Sequence, residues 1–565
     1  MRRLVLFAVA VFSSTAAFAA GITHSYLVGT KHPAAQSVMR MRGDDSRVGP
    51  GRNVETFDVV NAYRADLTDD EAIALRSAPE VRYVEPDIVH RAFALPSAPA
   101  PNQLRNPDGQ TLPYGVKMID APTVWKTTRG DGVNVAVLDT GIDITHPDLQ
   151  SAYAGGFNTY FGDKAFPNEK SDPIDDEGHG THVAGTIAAT DNNIGVVGVA
   201  PGVRLYAVRV LHSDGNGSAT GPTSKIIAGI QWVMQQKQAK GGNWIISMSL
   251  GACAPSSTES SAISNAINAG ILVIAAAGNH DSSNPQTDCT GSSDDNVYAV
   301  SYPAAFPGVI AVAAVDSAAN IADFSNFGPQ VAIAGPGVSV LSTVMLGTGT
   351  VASVSTSGGA TFTASPLTGS PYGTLTGTFI DCGLGAAASD FPASVNGNIA
   401  LIKRGDVTFA TKVKNAQAAG AAAVIIYNKD NSDLSFTLTA DPADANHVWP
   451  LTVAVSLNDG LALLGSHAPS VTIAASKDDY ANFSGTSMAT PHVAAAAALV
   501  WSAVPSANAA TIKDALLTTA SDSGAPGFDN LFGNGLVNPF AAARKLNPAA
   551  FPLPVIGRAP GRRGH

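Results

Sequence analysis

The sequence predicts an α/β fold: a doubly wound, mostly parallel sheet, preceded by a small α+β segment and interrupted by an inserted β-rich α/β domain. Three observations carry that expectation. Apolar runs recur at Val133 to Leu138, Val203 to Val210, Trp244 to Met248, Ile271 to Ala277 and Val309 to Val315, the pattern of strands covered on both faces. Helical or glycine-rich segments separate them, as βαβ units require. The first run ends in Asp139-Thr140-Gly141, which sets an acid at the carboxyl end of a strand, where open α/β sheets gather ligand chemistry.

Taken in order, the chain opens with Met1-Arg2-Arg3, an apolar run from Leu4 to Phe12, and Ala17-Phe18-Ala19. This is a basic head, a short apolar core and an A-x-A site, so residues 1–19 read as a secretory signal cut after Ala19. No other stretch reaches ~18 uninterrupted apolar residues, so no membrane span is expected. The mature protein is expected to be secreted and extracellular.

Residues 20–108 stand apart from the main sheet. Thr56 to Ala65 alternates like a strand, Thr68-Asp69-Asp70-Glu71 opens a helix with a capping-box pattern, and Val81 to Asp87 reads as a second strand. The Pro/Ala/Asn-rich stretch from Leu95 to Asp108 is an exposed linker suited to cleavage. The main domain is expected at 109–342 and again at 479–545, because residues 343–478 break its pattern. Inside that interruption a strand boundary at Gly397 to Gly405, an amphipathic helix from Phe409 to Ala419 and an apolar strand from Gly420 to Tyr427 indicate a domain of its own. Residues 546–565, rich in Pro, Gly and Arg, read as a flexible or trimmed tail.

With 565 residues, two or more folded units are expected, and an apolar fraction of 45% suffices for real cores. Only 14% of residues are charged, the formal net charge is −11, and no Lys/Arg block occurs in the body of the chain, which argues against a nucleic-acid partner. Three cysteines, Cys253, Cys289 and Cys382, leave at least one unpaired.

Four runs carry chemistry. Ser487 lies in Gly485-Thr486-Ser487-Met488-Ala489, between a glycine turn and an alanine-rich helical stretch, where free amides and the helix dipole favour a forming oxyanion. A serine needs a base and an orienting acid. His179 in Gly178-His179-Gly180-Thr181-His182 offers the base and Asp139 the acid, while Asn279, after the strand that breaks at Gly278, can donate an amide to an oxyanion. Taken singly, such an Asp is a turn or cap residue, such a His a plain surface or core group, and such an Asn a turn. Their joint occurrence in the order Asp, His, Asn, Ser favours a catalytic set, because a triad is known by its roles and order.

These runs resemble the subtilisin-like serine peptidases. The resemblance implies a secreted serine endopeptidase made as a zymogen, with Asp139 as orienting acid, His179 as base and acid, Ser487 as nucleophile and Asn279 as oxyanion donor. It implies that Ser249, Leu250 and Gly251 form the edge that pairs with a peptide, and that Ala276, Ala277 and Gly278 wall the specificity pocket. Those walls carry no charge, so an apolar preference at the cleavage site is expected. The segment before the main domain resembles the family's inhibitory propeptide, an intramolecular inhibitor and folding aid with self-cleavage expected between His90 and Gly109. The inserted residues resemble a protease-associated domain, as a lid or docking surface or as a passive spacer.

The loop Thr190 to Val196, with His146 to Leu149, resembles the family's calcium loop. Carried over, the ligands of a structural calcium would be Gln110, Asp148, Thr190, Asn192, Ile194 and Val196, with Thr190 replacing the usual apolar residue and supplying only its carbonyl. Without the resemblance this is a plain polar turn. His182 is expected to be a structural helix residue, since no Glu intervenes to make a zinc motif. Export would allow a Cys253–Cys289 bridge, leaving Cys382 as a free thiol or a small buried apolar residue. Protein or peptide substrates and a monomeric state are expected. An esterase is disfavoured, because Gly485 to Ala489 breaks the G-x-S-x-G elbow and the order of the triad is reversed.

Overall fold

The computed structural model describes residues 22–43, 49–93, 95–96, 109–215, 217–280, 299–405, 407–430, 437–439, 442–444 and 446–553. The expected secretory signal, most of the linker, Cys289 and residues 554–565 lie outside the described residues. The chain divides between Asp87 and Ile88 into two compact units.

The first unit is a four-stranded antiparallel sheet in the order Arg52–Phe57, Ala62–Leu67, His24–Thr30, Val81–Pro86, with helices Ala34–Gly43 and Asp69–Leu75. Val28, Val38, Tyr63, Leu67, Leu75 and Val84 share its core. The capping box at Thr68 is complete: Thr68 Oγ1 accepts the Glu71 amide at 3.3 Å and Glu71 Oε2 accepts the Thr68 amide at 2.7 Å. The alternating stretch Thr56 to Ala65 is a hairpin instead of one strand, since the chain reverses through Asp58 to Asn61 and pairs Thr56 with Tyr63. Asn61 takes a φ of 50°, a left-handed value that asparagine tolerates in turns.

The second unit is built on a seven-stranded sheet in which every pair is parallel. Its order is Val331–Pro336, Ile310–Val315, Ile271–Ala276, Asn243–Met248, Val133–Asp139, Arg204–Arg209, Tyr153–Asn158. Chain order reverses at Val133–Asp139, so the switch point of the sheet lies at the tip that carries Asp139. The strand Tyr153–Asn158, Tyr-Ala-Gly-Gly-Phe-Asn, occupies an edge, which is why it lacks the apolar run of its neighbours. The helix Thr486–Ala503 is buried from Thr486 to Trp501 and lies along five of the strands. Its alanines keep side chains short enough for that approach.

The residues Gly335 to Thr343 serve two sheets. Val331–Pro336 ends the parallel sheet, the chain turns through Ser339 at φ 52°, and Val340–Thr343 pairs antiparallel with Tyr480–Ser484. The two stems of the insertion are thus neighbours, and the returning stem leads straight into the Ser487 helix. The insertion is an eight-stranded mixed sheet in which the neighbouring strands Ile399–Lys403, Ala423–Tyr427 and Leu451–Val455 are parallel. Period-two alternation divides its core: Ala400, Ile402, Val424 and Ile426 pack with helix Phe409–Ala418, and Ile399, Leu401, Ala423 and Ile425 pack with Leu463 of helix Leu457–Ser466. After helix Pro539–Leu546, Phe551 is buried and its ring stands edge-on to Phe540. No helix among the described residues is long and apolar enough to cross a membrane.

Candidate active site

Asp139 is fully buried at the end of its strand, and its Oδ1 accepts the Thr140 amide at 2.8 Å. The same oxygen lies 2.7 Å from His179 Nδ1. His179 opens helix His179–Ala188, which starts from Gly178 at φ +113°. The start is held by Asp175: its Oδ1 accepts the amides of Glu177 and Gly178 at 3.0 and 2.8 Å, and its Oδ2 accepts the amide and hydroxyl of Thr181 at 2.9 and 2.5 Å. A carboxylate there satisfies amides that have no helical partner and suits the dipole. Gly180 is required by contact, because a Cβ would lie 2.1 Å from the Gly141 carbonyl oxygen. This accounts for glycine on both sides of His179.

Burial pulls the His179 imidazole towards the neutral form, but the Asp139 carboxylate, through charge and hydrogen bond, together with Glu177 and Asp175, outweighs it and leaves the pKa above 6.5. Its Nε2 has no hydrogen-bond partner among the described residues.

Ser487 follows the strand Tyr480–Ser484 through Gly485 and lies in the first turn of its helix. Its hydroxyl donates to the Ser249 carbonyl at 2.9 Å, and no hydrogen bond joins it to His179 Nε2. Pro491, four residues on, has no N–H to give the Ser487 carbonyl. Ser249 Oγ supplies the missing donor at 2.8 Å, so Ser249 and Ser487 are tied in both directions.

Asn279 is oriented by Thr486. The Asn279 Oδ1 accepts both the amide and the hydroxyl of Thr486 at 2.9 and 2.8 Å, and Thr486 Oγ1 also accepts the Gly278 amide at 3.2 Å. The Asn279 amide nitrogen therefore points away from Thr486 and donates to the Phe93 carbonyl at 3.1 Å.

Phe93 belongs to a segment laid across these groups. Val89–Ala92 forms an antiparallel strand between Leu250–Gly251 and Ala219–Pro222, pairing Ala92 with Leu250 and Arg91 with both Gly251 and Thr220. Beyond it, Leu95 and Pro96 pair with Ser484 and Phe483. At the centre, the Phe93 amide donates to Ser487 Oγ at 3.1 Å. The Phe93 ring covers Gly251, where a Cβ would come within 2.7 Å of it. Ala276 and Ala277 are fully buried, and Gly278 has a φ of +105°.

Of the residues expected at the site, the fold brings Asp139 to His179, Ser249 to Ser487, Leu250 and Gly251 to the chain's own segment 89–92, and Asn279 to Phe93. Three contributors were not foreseen: Asp175, Thr486 and the strand Ala219–Pro222. Thr486 stood one residue from the nucleophile and could have been found by asking what turns the Asn279 amide. The Ala219–Pro222 strand has neither length nor an apolar run to mark it.

Five of the six expected cation ligands, all but Ile194, also meet. Gln110 Nε2 lies 2.7 Å from the Thr190 carbonyl, 3.3 Å from Asn192 Oδ1 and 3.1 Å from the Val196 carbonyl. Three oxygens thus converge on one point, held by loop Thr190–Val196 and by Asp148, whose carboxylate accepts from Asn192 Nδ2, the Val196 amide and Tyr480 at 2.8, 3.1 and 2.9 Å. Turning the Gln110 amide over would add a fourth oxygen, and the Asp148 carboxylate borders the cluster. This donor set of hard oxygens fits calcium. The Ile194 amide donates to Asn192 Oδ1 at 3.1 Å, and its side chain is exposed.

His182 Nε2 lies 2.9 and 3.2 Å from the carbonyls of Val340 and Ala481, and its ring stacks on Phe483. Burial lowers its pKa to about 3, so it is a neutral tie between the helix and the two stems of the insertion. Cys253 is disulfide-bonded. Cys382 is a free thiol in the core of the inserted domain, where burial raises its pKa to about 11.

Comparison with known proteins agrees with this geometry. The family model described as "Subtilase family" matches residues 130–379, "PA domain" matches 372–463, and "Peptidase inhibitor I9" matches 21–92. Subtilisin E of Bacillus subtilis is 37% identical over 349 residues, covering 61% of this chain and 80% of that protein. A thermostable alkaline protease of Halalkalibacterium halodurans is 38% identical over 291 residues, covering 51% and 67%. The crystal structure of a psychrophilic subtilisin-like protease from Pseudoalteromonas sp. AS-11 aligns with a TM-score of 0.57 at 30% identity, over 78% of this chain and 99% of that one. The chain is therefore a serine-type peptidase of the subtilase family, with an I9 propeptide and a PA domain.

Proposed function

We propose that the protein is a secreted endopeptidase, made as a zymogen, that hydrolyses peptide bonds through an acyl-enzyme on Ser487. The observation that carries this reading is Phe93, whose carbonyl faces the Asn279 amide while its own amide rests on the Ser487 hydroxyl. A peptide backbone in that position presents its carbonyl carbon to the nucleophile.

The steps follow from the residues. Rotation about the Cβ–Oγ bond turns the Ser487 hydroxyl from the Ser249 carbonyl towards His179 Nε2, which takes the proton as Oγ attacks. Asp139 fixes the tautomer with the proton on Nδ1 and stabilises the imidazolium. The oxyanion is met by the Asn279 amide and by the Ser487 backbone amide in the first helical turn. His179 then protonates the departing amine, and water repeats the sequence on the acyl-enzyme. Leu250–Gly251 and Ala219–Pro222 hold the peptide as an added strand, which reads backbone and tolerates many sequences. A pocket floored by Gly251 and lined by Ala276, Ala277 and Gly278 favours large apolar side chains, as Phe93 exemplifies.

On this reading the segment 88–93 is the propeptide's own inhibitory tail, and the maturation cut falls between Phe93 and Ala94. Gln110, Asp148, Thr190, Asn192, Ile194 and Val196 would hold a structural calcium, and such an ion would tie the start of the mature chain to the loop after the His179 helix. Residues 109–342 and 479–545 form the catalytic domain, 343–478 the inserted domain, and the enzyme works as a monomer on protein or peptide substrates. A fluorophosphonate should label Ser487 in the processed enzyme and abolish hydrolysis of casein. Unlabelled Ser487, or a Ser487→Ala protein that still digests casein, overturns the reading.

A further inference from the structure

The strand that crosses the cleft buries a histidine against a carboxylate which the triad does not use. His90, three residues before Phe93, is 0% exposed, whereas Val89 is 53% exposed and Arg91 is exposed. Its Nε2 lies 3.1 Å from Glu259 Oε1 and 3.3 Å from Oε2. Glu259 is itself 0% exposed. It stands in the first turn of helix Ser257–Asn268, with its amide on the Ser256 hydroxyl at 3.1 Å, so the helix start supports its negative charge. No lysine or arginine among the described residues pairs with it.

We infer that Glu259 is a specificity-determining residue, which selects a basic side chain at the third position before the residue whose carbonyl is attacked. The inference rests on the reading that residues 89–93 lie in the cleft as a substrate does. Once the tail has left, Glu259 ends a subsite whose next occupant must either pair with a carboxylate or strip it of water. An apolar side chain does the second, and an acidic one adds like-charge repulsion. A histidine, lysine or arginine supplies an N–H donor where His90 Nε2 stands in the zymogen, and a charged one adds the positive charge that a carboxylate attracts. Selectivity at this position comes as much from rejecting the wrong side chain as from holding the right one.

The test uses the processed enzyme and the peptides acetyl-Val-Xaa-Arg-Ala-Phe-p-nitroanilide, with Xaa as His, Lys, Leu or Glu, at pH 7. The wild type should cleave the His and Lys peptides with kcat/KM at least about 10-fold above Leu, with Glu last. Glu259→Gln, which keeps the volume and removes the charge, should bring Lys and Leu within about 3-fold of each other, and Glu259→Leu should favour Leu. Hydrolysis of the Leu peptide by each variant shows that it has folded. Equal rates for Lys and Leu in the wild type, or a Lys preference that survives Glu259→Gln, would overturn the inference and leave the peptidase reading intact. If no peptide in the series is cleaved by the wild type, the peptidase reading fails first and the inference with it.

Discussion

Thr486→Val isolates the device that aims Asn279. Valine keeps the shape of threonine but removes the hydroxyl, which donates to Asn279 Oδ1 at 2.8 Å and accepts the Gly278 amide at 3.2 Å. The Thr486 backbone amide still holds Oδ1 at 2.9 Å, so Asn279 keeps one of its two anchors. A neutral hydrogen bond contributes on the order of 1 kcal/mol, so the loss of one anchor should lower kcat about 5- to 10-fold. Complete loss of the donor, as in Asn279→Leu, should cost about 10² to 10³, a magnitude known for subtilisin. KM should move little, since substrate backbone contacts with Leu250–Gly251 are untouched. The buried Gly278 amide loses its acceptor, which adds about 1–3 kcal/mol of destabilisation. Steady-state kinetics on a peptide p-nitroanilide ending in Phe would read the first effect. Thermal denaturation in a Ser487→Ala background, where autolysis is removed, would read the second. Thr486→Ser should keep nearly full kcat. A Thr486→Val enzyme with unchanged kcat, or a Thr486→Ser enzyme as slow as it, would refute the positioning role.

On the proposed mechanism the base is the neutral His179 imidazole, and Asp139, Glu177 and Asp175 together hold its pKa above 6.5 against burial. Its proton therefore comes off above that value, and kcat/KM should fall about tenfold per pH unit below the apparent pKa and level off above it. Asp139→Asn should lower the rate about 10⁴-fold and move the acid limb to lower pH; a wild-type limb centred below pH 6 contradicts the assignment. Removing calcium with EGTA should lower the thermal midpoint of the Ser487→Ala protein, because a metal held only by the folded form stabilises it, by about 2.7 kcal/mol at 100 times Kd. Asp148→Asn should abolish most of that difference, and an EGTA-insensitive midpoint would count against the site.

The parallel sheet was legible because strands buried on both faces leave continuous apolar runs, as in Ile271–Ala276, whose six residues are all buried. The capping box at Thr68 was legible because both its bonds are local. What escaped notice depends on partners far along the chain. Tyr153–Asn158 and Ala219–Pro222 have no apolar signature, since one lies at a sheet edge and the other pairs with the chain's own residues 89–92. The hairpin within Thr56 to Ala65 hid behind alternation, because the turn residues Val59 and Val60 are themselves apolar. At the site, Asp139, His179, Asn279 and Ser487 stood out by residue type and flanking glycines, and the fold sets Asp139 on His179 and both Asn279 and Ser487 on Phe93. That Ser249 replaces the donor Pro491 lacks, and that Glu259 meets His90, arises only from tertiary placement.

Mass spectrometry of the secreted protein, wild type beside Ser487→Ala, in a host lacking other extracellular proteases, tests the central claim most directly. The wild type should yield a mature chain beginning at Ala94 or trimmed from there, together with a propeptide ending at Phe93. Ser487→Ala should keep Phe93 joined to Ala94. A Ser487→Ala protein cut at that same bond would contradict the account, because the Ser487 hydroxyl against which Phe93 lies would then not be the nucleophile.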